Sequence, residues 1–499
     1  MNEVLAPDMA PPAPLARIIP RDQHSISRAA VSPNALKVLY RLRDAGFEAF
    51  LVGGCVRDLM LGLTPKDFDI ATSALPEEVR RVFRNCRLVG RRFRLAHVFF
   101  GREIIEVATF RATSAPEAGD DPTNGDEALD DEDSSDDGSD EELSAPELDE
   151  GDDARLAPSG NPDRVTDHSG RLLRDNVYGS IDEDVWRRDF TANALYYNIA
   201  DFSVWDYVGG FEDIEARQLR LIGDPATRFR EDPVRMLRAA RFQAKLGFTL
   251  DSATAAPIAE LRHLLAGVPP ARLFDETLKL FLSGHGARSL NVLREWGLLG
   301  ELLPTVARYL DQNADSSVAR MLQKGLENTD ARVVAGRPVT PTFLFSLLLY
   351  GPIANLIERQ PRDRWQDIGT IVDAVDRAAR DAQSRIAVPK RFSLGVREMF
   401  AAQPRLEQPR GRRALRLLEQ PRFRAAYDLL LLRAEFGLAA GDVAHWWTVL
   451  QEVSQADREK MADSLAAVPG GNAGSHDGSA PRPSRSRGGR RRRRPSRPA

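Results

Sequence analysis

The segment LVGGCVRDLMLG (51–62) and the KDFDIAT that begins at Lys66 constrain the fold more than any other part of the chain. The stretch 47–52 (FEAFLV) is apolar and aromatic, the composition of a buried strand. Gly53 and Gly54 break it with a turn, VRDLMLG predicts a short helix, and 66–72 predicts a second strand. Side chains on a strand alternate between faces, so Asp67 and Asp69 point one way while Phe68 and Ile70 point the other. A strand, glycine turn, short helix and strand in this order is a mixed α/β unit with two carboxylates on one face of its sheet.

The surrounding sequence extends that unit. Ser32-Pro33 offers an N-cap with proline at the first helical position, and Gly46 closes the helix. PEEVRRVF, opened by Pro76, predicts another helix, and HVFF and EIIEVATF, joined by Gly101-Arg102, predict a hairpin. Between 117 and 153 the chain carries 19 acidic residues and no Lys or Arg. Such a stretch cannot bury enough apolar surface to offset its ordering entropy, so it is expected to be a disordered insertion, either a solvated loop or an RNA-mimicking strip. Because the formal net charge is −4, the rest of the chain carries +15, the balance of a protein that meets a phosphate backbone. From Glu231 onward the apolar spacing turns helical (VRMLRAARFQAKL, ARLFDETLKLFL), and the end, GGRRRRRPSRPA, cannot form a core.

These patterns divide the chain into a flexible 1–30, an α/β head over 31–221 interrupted by a disordered insertion over 114–170, helical stretches over 222–290 and 291–467, and a disordered Arg-rich tail over 468–499. The fold class expected is therefore an α/β head with a mixed sheet, followed by all-α regions. Cys55 and Cys86 form no disulfide framework or metal cluster. The first residues lack the pattern of a signal peptide, and nothing approaches 18 consecutive apolar residues, so a cytoplasmic location with no membrane contact is expected.

Three clusters can carry chemistry. Gly53 and Gly54 lack Cβ atoms, so a phosphate can approach the main chain at the start of the following helix. Arg57 could add a cation, with Asp58 tying it in place. Asp67 and Asp69 supply the hard oxygen ligands that Mg²⁺ requires, and Glu106, mid-strand among aliphatic residues, could be the third metal ligand. Arg111, at the end of that strand, could contact phosphate. In the second cluster, RRDFTANALYY, Arg188, Asp189 and Asn193 could hold the ribose or triphosphate and support the metal site, so either Glu106 or Asp189 could be the third essential carboxylate. In the third, REDPVRMLRAARF, Asp232, Arg235 and Arg238 fall at spacings of three and share one helix face. An Asp acceptor beside an Arg donor matches the amino group and ring nitrogen of adenine or of cytosine, and would leave guanine and uracil unpaired. It does not choose between A and C.

With these clusters in order, the chain closely resembles the bacterial poly(A) polymerases, within the nucleotidyltransferases that also include tRNA CCA-adding enzymes. The likeness runs from about residue 21 to about 447 apart from the acidic insertion, which is longer than the family pattern suggests, and it implies that 222–290 is a neck of nucleotide- and RNA-binding helices and 291–467 an RNA-binding body and leg. The resemblance implies that Asp67, Asp69 and Asp189 are catalytic carboxylates, that Glu106 matches the family's third strand carboxylate, that DYVGG (206–210) is its turn motif, and that 231–238 reads the base. NCRLVGRRFRLAHVFFG (85–101) looks like the segment typical of the A-adding members, and Arg91, Arg92 and Arg94 within it could grip RNA, as could Arg490, Arg491 and Arg492 in the tail. The activity implied is Mg²⁺-dependent, template-independent addition of AMP from ATP to RNA 3′ ends with release of pyrophosphate, promoting mRNA polyadenylation and decay. A monomer working with RNA-decay proteins is implied too. The alternatives are CCA addition to tRNA and a noncatalytic RNA-binding adaptor on the same scaffold.

Overall fold

The computed structural model describes residues 16–90, 94–112, 164–166, 172–175 and 177–466. Its centre is an eight-stranded sheet built by β1 (Arg17–Ile19), β2 (Ala49–Val52), β3 (Asp69–Thr72), β4 (Cys86–Val89), β5 (Leu95–Phe100), β6 (Glu103–Thr109), and, after β7 (Arg164–Thr166) and β8 (Leu172–Asp175), by β9 (Leu195–Asn198) and β10 (Val204–Asp206). The order is β1-β10-β9-β2-β3-β6-β5-β4. All neighbours are antiparallel except β3 and β6, which run parallel with Asp69 beside Glu106. The mixed sheet of the expected head is therefore present.

Local chemistry places its helices. In α1 (Pro33–Asp44) the Ser32 hydroxyl accepts from the N–H groups of Asn34 and Ala35, and Gly46 takes a positive φ of 91° just past the end. After α2 (Gly54–Met60) comes α3 (Pro76–Val82), where Glu78 accepts from the Leu75 N–H. Val38, Leu39, Val79 and Phe83 from this side meet Ile70, Ala96, Val98, Ile105 and Val107 of the sheet in one buried core. Of the remaining head helices, α4 (Ile181–Arg187) precedes β9 and α5 (Gly210–Glu215) follows β10. The Asp206 carboxylate caps α5, accepting from the N–H groups of Val208, Gly209, Gly210 and Phe211 at 2.9–3.1 Å. A Cβ on Gly210 would sit 2.2 Å from the Thr191 carbonyl oxygen, so the DYVGG turn needs glycine there to let two backbones meet.

The chain then becomes helical, through α6 (Pro225–Glu231), α7 (Val234–Leu246), α8 (Ser252–Ala255), α9 (Ile258–Leu261), α10 (Pro270–Phe281) and α11 (Gly286–Glu295), and onward to Ala466. One short parallel pair, β11 (Gln218–Leu219) with β12 (Thr249–Leu250), ties the first helices back to the head. Their buried residues join the head's own core: Leu237 and Ala240 of α7 and Leu280 of α10 belong to the same apolar cluster as Leu51 and Ile70. Among the described residues no single helix is long and apolar enough to cross a membrane.

Three expectations need correction. Ordered structure starts at Arg17 rather than near Ser32: β1 pairs with β10, and Ile19 and Ile26 are buried. The Pro/Ala bias of 1–30 hides an apolar RII that fills an open sheet edge; residues 1–15 lie outside the described residues. The strand expected over 66–72 begins only at Asp69, because its partner β2 ends at Val52, which pairs with Asp69, and leaves the sheet at Gly53. The insertion expected over 114–170 ends in a strand, since β7 pairs antiparallel with β8. Most of that insertion, and the tail over 468–499, lie outside the described residues.

Candidate active site

The end of β2 and the start of α2 form the floor of a cavity of about 550 Å³ between the head sheet and α7. Gly53 has φ 80° and ψ −137°, a conformation that side-chain-bearing residues rarely adopt, and it turns the chain so that its backbone faces the cavity. The α2 helix has only seven residues, so what it offers a phosphate is close N–H groups rather than a long helix dipole. Asp67 and Asp69 both line the cavity, while Phe68 and Ile70 are buried beneath them. Their alternation therefore survives even though Asp67 precedes the strand.

Five carboxylates reach this cavity, and three are neutralised by cations. Asp58 accepts from Arg57 Nε at 2.9 Å and from Lys245 Nζ at 3.1 Å. Asp189 accepts from Arg238 Nε at 2.8 Å. Asp232 takes a bidentate pair from Arg272, at 2.9 and 2.7 Å. Asp67 and Asp69 remain: among the described residues no hydrogen bond or ion pair engages either carboxylate. Burial first, then the neighbouring Glu106 and Asp67 carboxylates, raise the Asp69 carboxyl to about 6 against the opposing pull of Arg188. A like-charged pair that lacks cationic partners, on the rim of a cavity rich in cations, is a donor set that a divalent ion would relieve.

Glu106 stands beside Asp69 in the sheet but does not line the cavity; its carboxylate lies 3.6 Å from His97 Nε2. It can complete a cage only from the side of the sheet. Asp189 differs from the role expected of it. Its Oδ1 accepts from the Phe190 N–H at 2.8 Å and from Asn193 Nδ2 at 3.2 Å, and its Oδ2 accepts from Arg238. Burial disfavours its charge, but Arg238, Asn193 and the Phe190 N–H hold it down to about 2. Both oxygens are thus engaged inside the protein, and Asp189 holds Arg238 and Asn193 in place.

Arg57 is buried and reaches Asn193 Oδ1 with Nη1, joining α2 to the RRDFT segment; its guanidinium lies 5.4 Å from the Phe242 ring centroid. Arg188 lies against Gly53 and is gripped by Tyr196 (2.8 Å) and Asp184 (2.9 Å). Burial opposes its charge, but Tyr196 and Asp184 keep it protonated beside Gly53. Arg111 does not line the cavity: its backbone bridges Tyr178, and its N–H donates to Asp184 at 3.3 Å. It braces the Asp184–Arg188 pair instead of meeting phosphate there.

Asp232, Arg235 and Arg238 do converge on the cavity, although Asp232 precedes α7 rather than lying on it. Arg235 Nη1 donates to the Arg228 carbonyl (2.8 Å) and to Glu231 (3.0 Å), which fixes its guanidinium. Asp232 is presented as half of an Asp232–Arg272 pair; its Oδ1 also accepts from the Val234 N–H at 3.3 Å, so Oδ2 is the oxygen that retains a lone pair for a further donor. Sequence reasoning missed Lys66, Lys245, Phe242 and Arg272, all of which line the cavity. Lys66 adjoins the DxD and was findable. The other three depend on how α7 and α10 pack on the head, which no local spacing announces. Arg94 lies outside the cavity, paired with Glu77 at 2.7 Å, while Arg91, Arg92, Arg490, Arg491 and Arg492 fall outside the described residues.

Comparison with known proteins accords with this geometry. Residues 49–220 match the family described as "Poly A polymerase head domain", 247–310 that described as "Probable RNA and SrmB- binding site of polymerase A", and 364–498 "Polymerase A arginine-rich C-terminus". The chain is 45% identical to Poly(A) polymerase I of Escherichia coli O6:H1, over 91% of this chain and 90% of that protein. It is 41% identical to Poly(A) polymerase I of Haemophilus influenzae, over 89% and 90%. A CCA-adding enzyme of Lactobacillus helveticus is 33% identical over 52% of each. Among solved structures, a tRNA-processing enzyme in an apo form superposes with a TM-score of 0.52 at 19% identity, covering 86% of this chain and 99% of that one, which is a likeness of fold. With the carboxylate pair, the glycine turn and Arg235 and Arg238 gathered at one cavity, and relatives alike along nearly their whole length, this chain belongs to the bacterial poly(A) polymerase family.

Proposed function

We propose that the protein extends RNA 3′ ends by template-independent transfer of AMP from ATP, releasing pyrophosphate. The observation that carries this reading is that, of the five carboxylates in the cavity, only Asp67 and Asp69 are left without a cationic partner among the described residues. Asp67 and Asp69 would hold Mg²⁺, with Glu106 approaching from the neighbouring strand. When bound, the ion supplies charge stabilisation to the attacking and leaving oxygens. The chain's own residues do the rest. The backbone at Gly53 and Gly54 admits the phosphates, and Arg188, held by Asp184 and Tyr196, meets their charge. The RNA 3′ oxygen bonds to the α-phosphorus as the bond to the leaving pyrophosphate breaks, and the hydroxyl proton passes to water.

At the other end of the cavity, Arg235 and the Asp232–Arg272 pair face the base edge. ATP over CTP is favoured by the 41–45% identity to proteins named Poly(A) polymerase I along about nine-tenths of the chain. Likeness to CCA-adding enzymes is confined to about half of it. Purified protein given unstructured RNA with ATP alone or CTP alone tests the reading. Long tails with ATP and little product with CTP are expected; addition confined to tRNA lacking its 3′ end would replace the proposal with CCA addition.

A further inference from the structure

The register of the head sheet lays a row of side chains outward from the active site. Asp69 of β3 pairs with Glu106 of β6, Glu106 with His97 of β5, and His97 with Arg87 of β4. Neighbouring strands lie about 4.8 Å apart, so the row runs roughly 14 Å from the carboxylates toward the free edge of the sheet. The opposite face of the same strands is core: Ala96, Val98, Ile105 and Val107 are buried against α1 and α3. On the row's own face, Arg87 is exposed, Glu106 is half-exposed at 50%, and Phe99, two residues on from His97, is only partly buried. Ile104, opposite Phe99, is 42% exposed. The Phe99 ring meets the His97 ring edge-on at 6.3 Å and lies 5.8 Å from the Arg87 guanidinium.

Buried strands do not usually present an aromatic ring, an aliphatic side chain and an arginine to solvent. Single-stranded nucleic acid is bound by such surfaces, in which a ring stacks a base and a cation meets the phosphate beside it. Continuity with the active site selects the occupant, because the row ends at the carboxylates where the RNA 3′ oxygen must react. We infer that the open face of β4, β5 and β6 is the platform for the last nucleotides of the RNA primer. Phe99 stacks a base upstream of the 3′ end, Arg87 pairs with a backbone phosphate, and His97 keeps the Glu106 carboxylate turned along the row. The inference rests on the polymerase reading and adds the path of its second substrate.

An RNA oligomer carrying 2-aminopurine at its penultimate position, titrated with full-length protein in the absence of ATP, tests this directly. Stacking on Phe99 quenches the probe. Phe99→Ala is expected to abolish the quench and to raise the KM for primer about tenfold, with little change in the KM for ATP. Phe99→Trp restores both, and Arg87→Gln weakens primer binding and shallows its salt dependence. Circular dichroism of Phe99→Ala matching that of the wild type ties the loss to the ring rather than to the fold. Unchanged quench and primer KM in Phe99→Ala, or a rise in ATP KM equal to that for primer, overturns the platform. Because the titration contains no ATP, it decides the platform even if the wild-type protein fails to extend RNA, an outcome that would sink the polymerase reading instead.

Discussion

Asp69 and Asp189 sit in the same site, yet their environments give them opposite tasks. Burial and like-charged neighbours raise the Asp69 carboxyl to about 6, above its unfolded value of about 3.9, so ionising it costs the folded protein stability. Without metal, stability contributed by this group is therefore greatest below about pH 4 and is lost as pH rises through about 6. Mg²⁺ is expected to raise Tm clearly at about pH 7.5 and little at about pH 5, with the difference vanishing in Asp69→Asn; equal shifts at both pH values would remove the carboxylate from the metal site. Asp69→Ala should abolish extension while RNA binding, read by anisotropy, stays near wild type. Asp189→Asn should behave differently, because it leaves the partly buried Arg238 without its anion. A loss of about 1–3 kcal/mol of stability and weaker ATP binding are expected, with the Mg²⁺ concentration giving half-maximal rate unchanged. A shift in that Mg²⁺ midpoint would restore Asp189 as a direct ligand.

Elements meet in this protein through glycines and ion pairs that span long distances in sequence. The α5 cap is one such joint: a Cβ at Gly210 meets the Thr191 carbonyl oxygen at 2.2 Å, and the RRDFT segment that carries Asp189 runs through that contact. Gly210→Ala should force the two backbones apart, costing about 1–3 kcal/mol and lowering Tm by several degrees. A Tm within a degree of wild type would show that the segment can move freely. The Lys245–Asp58 pair is another joint, fastening α7 to α2. The 51–62 segment and the helix caps were legible because glycine, proline and serine act on their own neighbours. The N-terminal strand β1 was not, since three residues carry too little pattern and become a strand only because β10 leaves an edge open.

For the molecule as a whole, charge is the governing quantity. The chain holds +15 outside its acidic stretch, and its last 31 residues carry 9 Arg against one Asp. RNA affinity is expected to fall steeply with salt, and removal of 469–499 should lower affinity at low salt and flatten that slope while leaving single-nucleotide addition intact. An unaltered slope would place the phosphate contacts elsewhere on the protein. The amino-acid order alone determined the strand–turn–helix–strand unit, the facing of Asp67 and Asp69, the helical character beyond Glu231 and the resemblance that named the family, because each is written in residues close together along the chain. Only the folded molecule decided which carboxylates keep cationic partners, that Arg272 grips Asp232 from 40 positions away, and that Arg238 holds Asp189. Those outcomes depend on how α7 and α10 pack against the head, and packing joins side chains that no periodicity links.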